Sequence, residues 1–416
     1  MMLGVGFLLI IAFPKEDFSK IENRNLSQFP SISKQTITGG DFEKEIEDYL
    51  NDHFPFRNKL VSLNTKRELL LGKRMVNGVY YAKDGYLIEY HDENDIDKDR
   101  EKNNARILSG AASYFGKKIG NENVKIYLTQ TKENALSYLL PGELTPYDGG
   151  KMVNRVKKRL KKEGADIKVI DTSLILSDAE GMYYYTDHHW VSDAAKEVYE
   201  KWCEDEGEDK RTDIMDKVVV SDSFCGSTYS KVLYSSRKDE IVLYESSSSS
   251  SLISVTYPDD SDVDDRDSMY QMDRLSHAQG YEVFFGGNFS DIVIHNDNGN
   301  GKRLVIFKDS FANCFVPFLA GHYSDILMID LRYLDEPIKD VLDGFGEYDD
   351  LIFMYNTIKL AQDTDLYKLS EYIEDDGDSF VDKGDSDIVT DDDSDIMIDD
   401  DSDIMIDDDS DIMIDD

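Results

Sequence analysis

The sequence predicts an α/β fold built on a parallel sheet flanked by helices, and three apolar runs carry the prediction. Leu304–Phe307, Ile326–Leu331 and Leu351–Met354 are short and rich in branched and aromatic side chains. That is the pattern of strands buried on both faces. Helical stretches separate them, and strands joined through helices pair in parallel. Hydrophobic residues make up 40% of the 416 positions, enough to core one large domain or two smaller ones.

Each element follows in order. Residues 1–13 are apolar and uncharged, shorter than the roughly 20 residues that span a bilayer. They suit a signal h-region or the end of an anchor helix, although a basic n-region is absent. Residues 14–40 read as linker. Asp41–Leu71 has helical periodicity broken at Pro55, where His53 and Arg57 read as a structural corner. Residues 41–373 then read as one domain. Val76–Tyr90 reads as a hairpin about Lys83-Asp84-Gly85. Ala105–Lys118, the basic Met152–Lys162, Ser192–Trp202 with Ser192 as N-cap, and the apolar Phe311–Ala320 read as helices. Val124–Leu128, Ile167–Ile170 and Ile241–Tyr244 read as strands. Residues 245–270 hold a six-serine run and an acidic stretch, and read as a flexible excursion. Residues 374–416 end in four octads, each with four Asp and no Lys or Arg; like charges repel there, and a disordered tail is expected.

The chemistry concentrates in Tyr183-Tyr184-Tyr185-Thr186-Asp187-His188-His189-Trp190. If this stretch is extended, Asp187 and His189 share one face and His188 takes the other. A carboxylate beside an imidazole can accept its Nδ1–H and leave Nε2 as a base. Ser310 follows the strand Leu304–Phe307 at a predicted helix start, where backbone N–H groups can hold an oxyanion. Asn356 ends another strand, and ligands of such sheets bind beyond the strands' carboxyl ends. Ser310, His189 and Asp187 therefore form a candidate nucleophile, base and orienting acid.

These residues carry a resemblance. Thr186-Asp187-His188-His189-Trp190 resembles the signature of the bacterial DHHW proteins, which are similar to the SGNH-hydrolase-like domains of periplasmic alginate O-acetyltransferases. Asp52–Arg57, Asn77–Tyr80, Lys83–Leu87, Lys308–Ala312 and Asp330–Tyr333 fit the same pattern across about residues 15–370. The resemblance implies an SGNH-hydrolase-like sheet in which Asp187, His189 and Ser310 are the catalytic set. The Asp-His block precedes the serine block, the reverse of ordinary SGNH hydrolases, which implies a circularly permuted motif order. Asn356 falls where the family's oxyanion asparagine stands, although its preceding glycine is missing and Thr357 replaces the following Asp; Lys308 replaces the Gly of Gly-Asp-Ser. Arg332, Tyr229 and Asn288 join Asn356 as candidate oxyanion or substrate-binding groups.

The implied activity is serine-dependent O-acetyl transfer or ester hydrolysis on a cell-surface polysaccharide, outside the cytoplasm. No cofactor or metal is expected. The implied partners are the glycan, an acyl donor and a membrane-bound acyltransferase, with membrane contact through the N-terminus only. A net charge of −40 repels phosphate backbones and argues against nucleic acid. Two other readings stay open: a scaffold or glycan-binding protein of the same fold, and a metal-dependent phosphoesterase using Asp-His-His. Cys203, Cys225 and Cys314 form no C-x-x-C; a Cys203–Cys225 bridge is open, but buried free thiols are expected. The tail offers no core residues, so truncation after about Glu374 is predicted to leave the melting temperature within a few degrees. A large drop in a thermal melt would show that the octads pack on the domain.

Overall fold

The computed structural model describes residues 15–19, 24–30 and 41–373, apart from Ser177 and the segments 212–215, 246–252, 259–260, 262 and 277–278. The expected leader at 1–13, the six-serine run and the acidic tail lie outside these residues. Within the expected linker, Phe18–Ser19 and Arg24–Asn25 pair as a short antiparallel ribbon.

Seven strands form the central sheet: β1 (Val124–Thr129), β2 (Lys168–Asp171), β3 (Ile253–Thr256), β4 (Asp291–Asn296), β5 (Arg303–Lys308), β6 (Asp325–Ile329) and β7 (Asp350–Asn356). Their order is β3-β4-β6-β5-β7-β1-β2. β4 runs antiparallel to both neighbours, and the remaining pairings are parallel. The fold is thus mixed α/β on a mainly parallel sheet. The three predicted strands are its centre, β6-β5-β7.

Side-chain alternation splits the core in two. Leu304, Ile306, Ile352 and Met354 face one cluster, whereas Val305, Phe307, Leu351 and Phe353 face the other. Seven helices matter here: α1 (Asp41–Asp52), α2 (Arg57–Leu70), α3 (Lys98–Ile119), α4 (Gly149–Lys162), α5 (Ser192–Glu206), α6 (Ile338–Phe345) and α7 (Thr357–Gln362). The second cluster is covered by α3, α4, α6 and α7, through residues such as Leu108, Val156, Leu342 and Ile358. The first is covered by α5, through Val198 and Trp202, and by Phe311, Phe315 and Phe318. Phe307 and Phe353 stack across β5 and β7 with centroids 5.3 Å apart. Each such buried ring contributes about 1.5–3 kcal/mol.

Several local expectations are corrected. The Asp41–Leu71 pattern does break at Pro55, but Phe56 rather than proline bears the strain, at φ 61 in the left-handed region. His53 Nε2 lies 3.0 Å from the Ser27 carbonyl oxygen, and its ring packs on Tyr49. Ser192 is the first helical residue of α5 rather than its cap, and its hydroxyl donates to the Val242 carbonyl. Phe311–Ala320 is not one helix: a 3₁₀ turn, Ser310–Cys314, passes into a single α-turn, Val316–Leu319, with Pro317 in it. Asp216–Phe224 and Asp239–Glu245 pair as an antiparallel ribbon, of which only the second strand is legible in the sequence. All three cysteines are free thiols, with Cys203 and Cys314 buried. Among the described residues, no helix is long and apolar enough to cross a membrane.

A buried charge cluster closes the carboxyl ends of β5 and β6. Lys308, at the end of β5, lies 3.3 Å from Asp330, and Arg332 holds the same carboxylate through two nitrogens at 2.8 and 2.6 Å. Burial would raise the Asp330 carboxyl, but Lys308 and Arg332 together hold it below the usual range. Burial also pushes the Lys308 ammonium down. Removing one partner of a buried pair strands the other charge. Asp330→Ala is therefore expected to cost about 3–5 kcal/mol in a urea titration, and a loss below about 1 kcal/mol would mean that water reaches Lys308.

Candidate active site

Tyr183–Trp190 is not an extended strand. Tyr183 and Trp190 form an antiparallel bridge, and the residues between them turn back on themselves. Two buried charges hold the turn. Asp239 accepts from Tyr185 N–H at 2.6 Å and from Thr186 N–H at 2.8 Å. Lys132 Nζ donates to the carbonyls of Tyr184 at 3.0 Å and Asp187 at 2.6 Å. An anion thus takes the turn's amides and a cation takes its carbonyls, so its polar backbone is satisfied away from water. Burial pushes the Lys132 ammonium down to about 8, with Asp239, Asp187 and Glu89 opposing. Burial raises the Asp239 carboxyl against its hydrogen bonds.

The turn aims Asp187 and His189 at each other and at Ser310. His189 donates to Asp187 Oδ1 from its backbone N–H at 2.9 Å and from ring Nδ1 at 2.6 Å. Asp187 Oδ2 accepts from Ser227 N–H at 2.7 Å. Burial would raise the Asp187 carboxyl, but its electrostatic interactions with the His189 and His188 rings and these hydrogen bonds hold it well below the usual range. His189 Nε2 lies 2.7 Å from Ser310 Oγ. With Nδ1–H committed to the carboxylate, Nε2 is the nitrogen free to take the serine proton.

The His189 ring is sandwiched. Tyr281 stacks on one face at 3.8 Å and 6°, and its hydroxyl donates to the Ser310 carbonyl at 3.0 Å. His188 lies on the other face, with centroids 3.9 Å apart. The expectation that His188 points away is therefore overturned. The turn replaces the two-residue alternation of a strand, so the two imidazoles lie against each other. Trp190 Nε1 donates to the Phe311 carbonyl at 3.0 Å and ties the motif to the turn that carries Ser310.

Asp309 positions the serine from the sheet side. Its Oδ1 accepts from Phe311 N–H at 2.9 Å and its Oδ2 from Asn356 N–H at 2.6 Å, so one buried carboxylate joins the ends of β5 and β7. This contact occupies Phe311 N–H, so Ser310 N–H is the donor that stays available at the start of the turn. Ser310 N–H has no acceptor among the described residues. Asn356 caps α7 with Oδ1, accepting from Ile358 N–H at 3.1 Å and Lys359 N–H at 3.4 Å. That assignment leaves its Nδ2 as the open end in a cleft that Asn356 lines.

The cleft has a volume of about 310 Å³ and is lined by Glu89, His91, Lys132, His188, Phe311 and Asn356 among others. A larger cavity of about 650 Å³ lies between α2 and the 221–233 loop. Tyr229 lines that cavity and not the cleft. Asn288 and Arg332 also stay outside the cleft lining. Asn288 Oδ1 accepts from Lys308 Nζ at 2.9 Å and Asn313 Nδ2 at 3.1 Å, and Arg332 is committed to Asp330. His53 and Arg57 line a third cavity of about 290 Å³. Sequence reasoning missed Lys132, Asp239, Tyr281 and Asp309. Asp309 alone had a signal, as the residue beside the candidate serine.

Ligand atoms of Asp187, His188 and His189 lie within 4.8 Å of one another, a spacing compatible with a metal ion. Asp187 Oδ1 and His189 Nδ1 are bonded to each other, and Asp187 Oδ2 to Ser227. An ion there would have to displace those bonds. Glycine at 226 is required by the carboxylate: a Cβ would sit 2.2 Å from Asp187 Oδ2. Gly226→Ala should displace Asp187 and cut ester turnover about 10²-fold, as misplacement by about 1 Å does. An unchanged rate would show that the Asp187 geometry is not limiting.

Solved structures share this fold. A DHHW family protein from Eubacterium siraeum matches with TM-score 0.56 and 23% identity, covering 71% of this chain and 96% of the other. Bacillus cereus PatB1 matches with TM-score 0.57 and 20% identity, covering 68% and 97%, and has also been solved with a sulfonyl adduct. The O-acetyltransferase domain of Pseudomonas putida AlgJ overlaps with TM-score 0.39 and 10% identity over 71% and 98%, too distant to carry an argument. No curated protein matches the chain. The model of the DHHW protein family matches residues 156–329, the stretch that holds Asp187, His189 and Ser310, and the resemblance of this chain is to that family.

Proposed function

We propose that this protein is a serine-dependent O-acetyltransferase or esterase that works outside the cytoplasm on a cell-surface polysaccharide. One observation carries the reading: the continuous chain from Asp187 Oδ1 through His189 to Ser310 Oγ, at 2.6 and 2.7 Å. Ser310 Oγ attacks the acyl carbonyl and gives its proton to His189 Nε2. Asp187 stabilises the imidazolium. Ser310 N–H and Asn356 Nδ2 stabilise the oxyanion. His189 then protonates the leaving alcohol. A glycan hydroxyl or water attacks the acyl-serine, loses its proton to His189, and Ser310 recovers its own. This chemistry needs no cofactor.

Residues 156–329 resemble DHHW proteins, and the motif order, with the Asp-His block ahead of the serine, fits a permuted SGNH-like site. In that setting a membrane-bound acyltransferase would supply the acyl group, and an N-terminal anchor would hold the protein near it. A scaffold of the same fold is the alternative reading, and turnover separates the two.

The test is mass spectrometry of the full chain after brief exposure to p-nitrophenyl acetate. Wild type should gain one acetyl group on Ser310, and Ser310→Ala none. His189→Ala should lower turnover by about 10²-fold or more, as loss of a positioned base does. Asn356→Ala should lower it by about 10²–10³, as loss of an oxyanion donor does. Acetylation at another residue, or an inert wild type, would overturn the reading.

A further inference from the structure

His188 has no part in the relay, yet its ring lies against the relay's His189 and lines the neighbouring cleft with Phe311 and Asn356. Its Nδ1 lies 2.6 Å from Ser227 Oγ and 3.8 Å from Asp187 Oδ1. Burial and the neighbouring His189 lower its pKa, although Asp187 and Glu89 pull the other way, so the ring is neutral at physiological pH. A neutral imidazole carries one proton, and the carboxylate beside Nδ1 favours it there. Nε2 is then a lone-pair acceptor. It has no protein partner among the described residues, and the side chain, 32% exposed, lines the cleft. Serine donors, oxyanion donors and the base are already supplied by other groups, so this acceptor is aimed at substrate.

We propose that His188 is an acceptor-positioning residue that selects a vicinal diol. This rests on the acyl-transfer reading above. The two imidazoles lie side by side, with centroids 3.9 Å apart and planes 35° from parallel. In this proposal their two Nε2 atoms serve as acceptors for one ligand that spans both rings. One hydroxyl of a sugar donates to His189 Nε2 and attacks the acyl-serine carbonyl. The hydroxyl on the neighbouring carbon donates to His188 Nε2. As the new ester C–O bond forms, the attacking hydroxyl's proton passes to His189; as the Ser310 Oγ–C bond breaks, His189 returns it to Ser310. The proton on the second hydroxyl stays where it is, so His188 orients and is not consumed. A simple alcohol offers His188 no second hydroxyl, and a site built to pair a hydroxyl rejects ligands lacking it. Ser227 fixes the imidazole's rotation by holding Nδ1, which gives it a role through His188.

The experiment uses the full chain with p-nitrophenyl acetate as donor and two acceptors, trans-1,2-cyclohexanediol and cyclohexanol. Products are separated to give transfer against hydrolysis, and acetylation of Ser310 is read by mass spectrometry. Wild type should transfer to the diol at least about tenfold better than to cyclohexanol. His188→Leu should lose that preference, with a larger loss in diol transfer than in Ser310 acetylation. His188→Gln, whose Oε1 can accept at the same reach, should restore part of it. Ser227→Ala keeps the Ser227 N–H bond to Asp187 and should weaken the preference by a smaller factor. It serves if the leucine variant fails to fold. A diol preference unchanged in His188→Leu and Ser227→Ala, with Ser310 still acetylated, overturns the assignment of His188 alone. A wild type that never acetylates Ser310 overturns the acyl-transfer reading and this one with it.

Discussion

The burial of Asp187 governs the geometry of the site. A carboxylate 1% exposed must have its oxygens satisfied by hydrogen bonds or become neutral. Asp187 receives three N–H groups, two from His189 and one from Ser227. They come from two chain segments that meet only because Gly226 lets the backbone approach the side chain. The same bonds that keep the carboxylate ionised fix the tautomer and direction of His189. Structure and chemistry share one constraint here: any change that lets water reach Asp187 weakens the pair and loosens the base.

The sheet prepares the other half. β5 and β7 end side by side, and Asp309 N–H continues their ladder by donating to the Met354 carbonyl at 3.0 Å. The side chain of the same residue then joins the two strand ends beyond the ladder. Ser310 and Asn356 are therefore placed by a parallel pairing that would form for hydrophobic reasons alone. An ordinary hydrogen bond contributes about 1 kcal/mol, whereas a buried ionised acceptor left unpaired costs several. The charged contacts thus constrain the geometry more than they stabilise the fold. Lys308, Asp330 and Arg332 do the same one strand over, and Asn288 is part of that support.

Legibility followed the physics of each element. β5, β6 and β7 could be read because strands buried on both faces are apolar throughout. The hairpin about Asp84 could be read because a left-handed turn leaves its mark, with Asp84 at φ 63 followed by Gly85. Asp216–Phe224 was not legible: its residues are mostly exposed and it pairs only with one other strand. The helix expected at Phe311–Ala320 failed because tertiary contacts, from Trp190 and Asp309, fix its first turn as 3₁₀. In the site, Asp187, His189 and Ser310 were legible from motif and strand-end position. Lys132, Asp239 and Tyr281 were not, since an ammonium, a carboxylate and a phenol far apart in sequence carry no local signal of convergence.

The misjudged direction of His188 has the largest consequence for chemistry. An extended Asp-His-His segment would bury or expose its two imidazoles on opposite faces, and one would be a bystander. A turn held by Asp239 and Lys132 brings both rings together, with Tyr281 covering the far face of His189. Tyr281 stacked on one face and His188 tilted against the other leave little room for the His189 ring to swing out of its plane. His188 packs on His189 on one side, is tied at Nδ1 by Ser227 and lines the cleft. Neutrality follows from the arrangement, since two imidazolium rings at 3.9 Å would repel strongly in a low dielectric. When His189 takes the serine proton, a neutral His188 can stay neutral and keep accepting. The placing of the two imidazoles side by side is thus a product of the turn, which the sequence motif names but does not draw.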